Sequence, residues 1–530
     1  MPTEHVYNAA VDFLDRSVAE GRGDKTAVCD PQRTLTYREL VSCAARVGTV
    51  LARFGVEPEN RVALVVSDSV EFPILFWGAI RAGIVPVLLN TRLTADQYHY
   101  LLEDSRAKVV LVSAILLPVI EEAARGVATV KAIIAVGSGP PALPSLDELL
   151  ATAEPAPVAR TCADEVAYWL YSSGTTGSPK AVMHVHSTPR LISQYCGQRR
   201  LGFREEDVSF SAPKLFFAYG LSNSLFVPMG AGATAVLCPE HPTPPAVFAL
   251  MRRFQPTVFY AVPTLYALIL DDPTCQPDSG SNRLRLCFSA GEPLSVHINQ
   301  AWRARFGVDI VNGVGSTEVG HLFLTNLIDS VEYGTSGVPV DGFELKLVDD
   351  QNHEVGPGVI GEMLVRAPTA AQGYWNQRDK TRRTFEGEWT RTGDKYQRRP
   401  DGVYLYCGRT DDMFKVSGMW VSPIEVEAAL TSHRLVLEAA VIPFDAGEGL
   451  LKPKAFVVLK EPADQPPGRT LYEELKLHVK RALEPWKYPR WIEFVPSLPR
   501  TATGKLQRYK LREWNAGMAR NSQPAPRAPR

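Results

Sequence analysis

The stretch Tyr171-Ser-Ser-Gly-Thr-Thr-Gly-Ser-Pro-Lys180 gathers two glycines, a run of small hydroxyl side chains and one lysine directly after the apolar run Val166 to Leu170. That order reads as a strand running into a loop whose free backbone N–H groups can surround phosphate oxygens. Gly174 and Gly177 allow backbone shapes that bring N–H groups close to a ligand. Ser173, Thr175 and Thr176 add hydroxyls, and Lys180 adds a mobile positive charge. It is not a Walker A loop, because Pro179 precedes the lysine where that motif needs glycine, and Ala181 follows it where that motif needs Ser or Thr. A Ser/Thr/Gly cluster is more often an ordinary turn; the density of hydroxyls and the closing lysine favour phosphate here.

Further segments follow in order: Ser289-Ala-Gly-Glu-Pro-Leu294, Asn312-Gly-Val-Gly-Ser-Thr-Glu318, Thr392-Gly-Asp394, Gly408-Arg-Thr-Asp-Asp412 with Lys415-Val-Ser-Gly418, and Pro499-Arg-Thr-Ala-Thr-Gly-Lys505. In this order and spacing they strongly resemble the acyl-adenylate-forming superfamily, which comprises acyl- and aryl-CoA synthetases, peptide-synthetase adenylation domains and luciferases. The likeness runs from about Phe13 to Arg512. Its chemistry follows from the substrate: a carboxylate is a poor electrophile, and its charge repels the phosphates of ATP. Joining it to the α-phosphate makes a mixed anhydride with AMP as leaving group, and that attack needs its anions neutralised and held in line. By resemblance, the loop from Ser173 to Lys180 holds the β- and γ-phosphates, Thr317 bonds the α-phosphate and Glu318 holds Mg²⁺. Gly291, Glu292 and Pro293, with Asn312, Gly313, Gly315 and Ser316, frame the adenine. Asp394 clamps the ribose, assisted by Arg409, and Lys505 steadies charge at the reacting carboxylate. Taken singly, Glu318 reads as a surface acid, Asp394 as a turn residue and Lys505 as part of a solvated face; their ordered co-occurrence overrides those readings. Two positions depart from the pattern. Ala181 replaces the usual glycine after the lysine, and Val314 replaces a common aromatic, which removes stacking on adenine from that position.

Within the superfamily, Lys214-Leu-Phe-Phe-Ala-Tyr-Gly220, Thr257-Val-Phe-Tyr260, Gly313 to His321 and Lys415 to Pro423 are most similar to benzoate-CoA ligases. The resemblance implies an acyl pocket built from Phe217, Ala218, Tyr219, Gly220, Tyr260, Ala261, Gly320 and His321. Flat aromatic walls suit a ring better than an alkyl chain, although each aromatic would serve equally as core packing. Gly320 stands where those ligases carry a bulkier residue, so its missing side chain is expected to open volume for a substituted benzoate, such as a hydroxy- or aminobenzoate, with salicylate a fair candidate. His184 and His186 alternate as on one face of a strand and are not expected to bind metal. The second substrate implied is coenzyme A, whose pantetheine passes Ser417 and Gly418. Asp411 matches the hinge about which a small domain turns between the two half-reactions. Two competing readings are a stand-alone adenylation enzyme that loads a carrier protein and a non-catalytic nucleotide-binding module.

The elements that must position these groups are legible as alternating short apolar runs and helical patterns. Arg61 to Val66 reads as a strand, Glu71 to Ala82 as a helix, Ile84 to Leu89 as a strand and Thr257 to Val262 as a central strand. The expected fold is α/β: doubly wound sheets in an N-terminal AMP-binding domain, residues 1–410, including a small β-barrel at about 333–408. A mobile α+β lid follows at 411–514, with helix starts at Ser422-Pro-Ile-Glu425 and Thr470-Leu-Tyr-Glu473. Residues 515–530 are expected to be disordered. With 530 residues, 45% hydrophobic and 22% charged, the chain is too long for one core and ordinary for a globular protein. Lys+Arg 57 against Asp+Glu 58 leaves a formal charge of −1, which supports neither nucleic acid nor an anionic membrane as partner. The eight cysteines form no C-x-x-C pair, so neither a metal site nor a disulfide framework is expected. With no secretory signal and no apolar run long enough for a bilayer, a cytoplasmic monomer or homodimer is the expectation.

Overall fold

The computed structural model describes residues 6–137, 143, 145–172, 179–416, 419–445, 451–460, 469–500 and 506–521. Ser173, Gly174, Thr175, Thr176, Gly177, Ser417, Gly418 and Lys505 lie outside the described residues. The chain divides into two compact units, residues 1–345 with 364–392 and residues 346–363 with 393–530. The region expected at 333–408 is therefore shared between them. Among the described residues no helix is long and apolar enough to cross a membrane.

The first unit is built on two large sheets. One has seven strands in the order Gly373–Tyr374, Lys180–Val185, Val166–Ser172, Val85–Leu88, Arg61–Val65, Val109–Ser113 and Ala132–Val136. Its inner strands pair in parallel, and the edge carrying Lys180 is antiparallel. The other has nine strands, with Val258–Ala261 fifth in the order, so the expected central strand is central. Both sheets show the near-continuous burial that parallel strands acquire when covered on two faces.

The helix Glu71–Arg81 explains how the sheets are joined. Phe72 through Ile80 are all buried, so this helix is apolar all round and serves as core. Phe76 and Trp77 meet Phe13, Tyr168 and Phe226 with ring centroids 4.9–6.0 Å apart. Tyr168 in turn lies flat on His184, 5.0 Å away at 15°. This aromatic block connects the core of the unit to the turn that bears Thr317.

In the second unit Val436–Phe444, Lys452–Leu459 and Trp491–Phe494 form a three-stranded sheet. Its alternation is clean: Ala439, Val441, Ala455 and Val457 pack under Pro423–Thr431 and Arg469–Ala482, with Leu475 and Val479, while Ala440, Ile442, Phe456 and Val458 pack with Leu511. Ser422 caps the first helix by accepting the Glu425 N–H, one half of the expected capping box, while the Glu425 carboxylate accepts from Lys487 Nζ at 2.8 Å. Two expectations need correction. The second helix already includes Arg469, which puts Thr470 inside it and not at its cap. The tail is helical through Asn521, because Leu511 anchors Arg508–Asn521 against the sheet and no proline intervenes before Pro524.

Candidate active site

The strand pair Val166–Ser172 and Lys180–Val185 brings the two ends of the glycine-rich loop together, with Ser172 opposite Lys180 in register. Lys180 Nζ lies over the Tyr374 ring at 4.4 Å, donates to Tyr374 Oη at 3.2 Å and stands 3.9 Å from Glu318 Oε1. Tyr374 Oη donates to the same Glu318 oxygen at 2.9 Å, and Ser172 Oγ reaches it at 3.4 Å. One carboxylate is thus approached by an ammonium and two hydroxyls. Tyr374 was not among the expected site residues. The short strand Gly373–Tyr374 pairs with Met183 and Val182 and so delivers the phenol to Lys180 from 194 residues away in sequence.

Thr317 and Glu318 sit on a turn whose backbone is fixed from several sides. Gly315 admits no side chain, because a Cβ would run into the His321 carbonyl. The Ala371 N–H donates to the Glu318 carbonyl at 2.8 Å, and Thr369 Oγ1 to that of Val319 at 2.7 Å. His184 Nε2 lies 2.9 Å from the Thr317 carbonyl. A carbonyl only accepts, so the His184 proton is on Nε2 and Nδ1 is bare. Burial pulls the His184 pKa down to about 4, opposed only by that one bond, so the ring is neutral. His186 lies one residue beyond the strand and accepts the Ala9 N–H at 3.2 Å. No group of three His, Cys, Asp or Glu side chains placed to hold a metal ion occurs among the described residues.

Next to this turn, the parallel strands Leu286–Ser289 and Ile310–Gly315 end side by side, with Ser289 opposite Asn312. Gly291 follows with φ +89°, a value glycine tolerates, and Glu292 accepts from Thr264 Oγ1 at 2.8 Å. Pro293 is exposed beside it. Asn312 Nδ2 donates to the Thr335 carbonyl at 3.1 Å, and Gly313 leaves room for the Phe288 ring. Ser316 Oγ accepts the Val319 N–H at 3.2 Å. Val314 pairs with Leu324 across an antiparallel ladder.

The expected ring-binding residues do come together. Tyr219 lies 6.2 Å from Tyr260, 6.4 Å from Phe288 and 6.5 Å from His321, nearly parallel to the last. Its hydroxyl donates to the Phe288 carbonyl at 3.1 Å. Ala261 ends the central strand beside Tyr260, and Phe217 and Ala218 open the short helix that carries Tyr219. At Gly220 a Cβ would strike the Lys214 carbonyl, which forces the tight turn of this loop. The loop is also gripped from the other sheet. Buried Asp68 receives the Leu215 N–H at 3.3 Å and sits 3.8 Å from Lys214 Nζ. Burial raises the Asp68 pKa to about 6 against the pull of Lys214. Asp68 and Asn223, whose Oδ1 lies 3.0 Å from His321 Nε2, carried no motif signal. The geometry at Gly320 differs from expectation. With φ +84°, its Cβ would point at Ile192, His184 and Thr188, 3.3–3.4 Å away, so glycine answers a backbone need here and does not widen the aromatic wall.

In the second unit, Arg409 Nη1 donates to Asp394 Oδ1 at 3.1 Å across their strand register, and Tyr406 Oη reaches the same oxygen at 3.3 Å. Burial disfavours the guanidinium charge, but Asp394 outweighs it and the Arg409 pKa is raised. Asp411 lies in the turn that follows, and its carbonyl accepts from Arg512 at 3.2 Å.

The chain is similar to known proteins over nearly its whole length. The profile of the AMP-binding enzyme family matches residues 14–375, and that of its C-terminal domain matches residues 425–505. The chain is 64% identical over 525 residues to a 4-hydroxybenzoate–CoA/benzoate–CoA ligase of Rhodopseudomonas palustris, covering 99% of this chain and 97% of the relative. A solved benzoate CoA ligase from Burkholderia xenovorans LB400 superposes with TM-score 0.87 at 45% identity, over 96% of this chain and 100% of that one. An anthranilate CoA ligase solved with anthranoyl-AMP superposes with TM-score 0.91 at 40% identity, over 98% and 99%. The loop, the Thr317–Glu318 turn and the C-terminal unit therefore have a common origin with theirs, and this chain belongs to the AMP-binding enzyme family.

Proposed function

We propose that this protein is an ATP-dependent aryl-CoA ligase acting on benzoate or a hydroxy- or aminobenzoate, salicylate included. A carboxylate oxygen attacks the α-phosphorus of ATP and pyrophosphate leaves. The sulfur of coenzyme A then attacks the acyl carbon, the bond to AMP breaks and the thiol proton is released. One observation carries this reading: a single rigid turn, Gly315 to His321, presents Glu318 to the Lys180–Tyr374 cluster and His321 to the Tyr219 ring. Phosphate chemistry and ring binding thus meet within seven residues of sequence. The names of the relatives, including one solved with an aroyl-AMP, support it.

In this reading the loop from Ser173 to Gly177 and Lys180 hold the outer phosphates, and Thr317 bonds the α-phosphate. Gly291 to Pro293 and Asn312 to Ser316 frame the adenine, and Asp394 with Arg409 holds the ribose. Lys505 steadies the reacting carboxylate, and Ser417 and Gly418 flank the pantetheine. Tyr374 sets the distance between Lys180 and Glu318. Mg²⁺ fits Glu318: this ion commonly takes one or two carboxylates and fills its remaining positions with phosphate oxygens and water, where it offsets charge. Asp411 is the hinge, and Asp411→Pro, by locking φ, should spare pyrophosphate release yet depress thioester formation at least about tenfold. Equal loss in both half-reactions would count against that role. The reading as a whole is tested by supplying ATP, magnesium, free coenzyme A and a panel of aryl acids. Aroyl-CoA, AMP and pyrophosphate are expected; adenylate without thioester would point to a carrier protein as acceptor.

A further inference from the structure

Asp68 and Lys214 tie the turn that carries Tyr219 to both large sheets of the first unit. Asp68, 3% exposed, lies just past the strand Arg61–Val65 of the seven-stranded sheet. Both of its oxygens lie 3.3 Å from the Leu215 nitrogen, and Lys214 Nζ stands 3.8 Å from Oδ2. The same ammonium donates to the Cys238 carbonyl at 2.5 Å and the Glu240 carbonyl at 2.6 Å, just past the strand Thr234–Val236 of the nine-stranded sheet. From Lys214 the chain closes on itself. The Phe217 N–H donates to the Lys214 carbonyl at 3.0 Å, the Leu221 N–H donates to the Phe217 carbonyl at 2.8 Å, and at position 220 only glycine clears the Pro213 and Lys214 carbonyls. Leu215 is fully buried and Phe216 nearly so. A displacement of Lys214 therefore reaches Tyr219 with little slack to absorb it. Burial disfavours the Asp68 carboxylate, and Lys214 with the Leu215 N–H opposes that only in part, so the group changes charge near pH 6. A carboxamide of the same shape would accept the Leu215 N–H without that penalty; what the acid adds is a negative charge beside Lys214.

We propose that Asp68 is a positioning residue for the aryl acid: as a carboxylate it holds Lys214, and with it the turn that presents Tyr219, in the shape that receives the ring. This role rests on the aryl-CoA ligase reading and adds to it a residue that lies outside the ring-binding cluster and acts through Lys214. Protonated Asp68 can still accept from Leu215 but no longer holds the ammonium, so affinity for the aryl acid falls as pH drops through about 6. The other titratable groups near the pair are the Cys238 thiol, which burial pushes up to about 11, and, beside Lys214, Glu240 and His241, with Arg92 next to His241. Asp30, which grips the same loop two residues beyond Asp68, is occupied with the N–H groups of Gln32, Arg33 and Val70. Burial, Arg92 and Lys214 hold exposed His241 below the usual histidine value, so it is the group to control for.

The test follows KM for benzoate and KM for ATP in thioester formation between pH 8 and pH 5, where benzoate itself stays a carboxylate. In the wild type only about a tenth of the sites remain ionised one pH unit below the midpoint, so KM for benzoate should rise roughly tenfold toward pH 5. Asp68→Asn should show that raised KM already at pH 8, with KM for ATP within about twofold of wild type, and its ratio to the wild-type KM for benzoate should approach one at pH 5. His241→Gln should keep the wild-type profile. An unchanged KM for benzoate in Asp68→Asn at pH 8, a ratio equal at both ends of the range, an equal rise in KM for ATP, or loss of the step in His241→Gln overturns the role and leaves the ligase reading intact. Turnover of no aryl acid at any pH sinks the ligase reading, and this role with it. If Asp68→Asn does not fold, the wild-type and His241→Gln profiles decide: a step near pH 6 in both upholds the role, and a flat KM for benzoate in the wild type overturns it.

Discussion

Two clusters share the turn from Gly315 to His321 and solve opposite problems. On the phosphate side, Lys180, Glu318 and Ser172 are half-buried and Tyr374 is buried; all four are charged or strongly polar, and bonded to one another. On the ring side, Tyr219, Tyr260, Asn223 and His321 are uncharged; His321, Asn223 and Tyr260 are buried, and each of these three retains a polar atom without a partner. A site for a polyanion must keep its charges ready and solvated by each other until the ligand arrives, because an unpaired buried charge would be expelled or neutralised. A site for an aromatic acid gains most of its affinity from apolar area and can hold neutral polar atoms in reserve for selectivity.

The sharpest way to break this contrast is to remove charge from the phosphate side. Glu318→Gln should lower aryl-acid-dependent pyrophosphate exchange by about 10²–10³-fold, the range seen when one electrostatic group is removed from a reacting centre. Exchange within a factor of two of wild type would mean that Glu318 is a structural partner of Lys180 and nothing more. Tyr374→Phe removes only a hydroxyl bridging two charges. A loss of about tenfold in kcat/KM for ATP is expected, with kcat/KM for the aryl acid measured at saturating ATP changed less. A change confined to the aryl acid would exchange the roles assigned to the two clusters.

How much of this was legible follows the same division. Lys180, Thr317, Glu318 and Asp394 announce themselves because charged and hydroxyl residues stand at fixed spacings beside glycines. Tyr374 does not, because a tyrosine after a glycine reads as core or edge strand until the register with Val182 places it over Lys180. Asn223 lies in a buried helical run, Ser222–Phe226, in which it stands between two serines, and nothing in that run distinguishes its amide from an ordinary buried cap. Strand positions such as Val258–Ala261 were readable from apolar runs alone, whereas the helix through Asn521 depends on Leu511 finding a sheet face formed some 55–70 residues earlier, which no local pattern reveals. Gly320 was misread for a related reason: sequence gives the absence of a side chain but not the direction in which it would have pointed.

The buried neutral imidazoles also give the first unit a pH signature. Burial lowers His184 to about 4, His186 to about 4 and His321 to about 3. In the unfolded chain these groups titrate near 6.5. Between those values the unfolded state binds more protons, so stability is full above about 6.5 and is lost as pH falls toward 4. Asp68 acts in the other direction: its pKa is raised to about 6, so its contribution is present below about 4 and lost as pH rises through 6. Three imidazoles against one carboxylate leave the net slope positive. Thermal midpoints should fall by several degrees between pH 7 and pH 5, and a flat profile over that interval would show that the three rings are not held neutral.

The smallest expected effect concerns Gly320, and it separates backbone from pocket. A Cβ there would contact Ile192, His184 and Thr188 at 3.3–3.4 Å, side-chain atoms that can yield by a few tenths of an ångström, while φ +84° imposes a strain independent of space. Gly320→Ala should therefore cost about 1–2 kcal/mol of stability through its backbone alone. Its ratio of kcat/KM for 2-hydroxybenzoate over benzoate should stay within about twofold of wild type, because the added methyl faces away from Tyr219 and Tyr260. If that ratio instead collapses while stability is unchanged, the missing side chain does open room for a substituent. The boundary between the two clusters would then lie one residue nearer the phosphate side than the geometry of this turn places it.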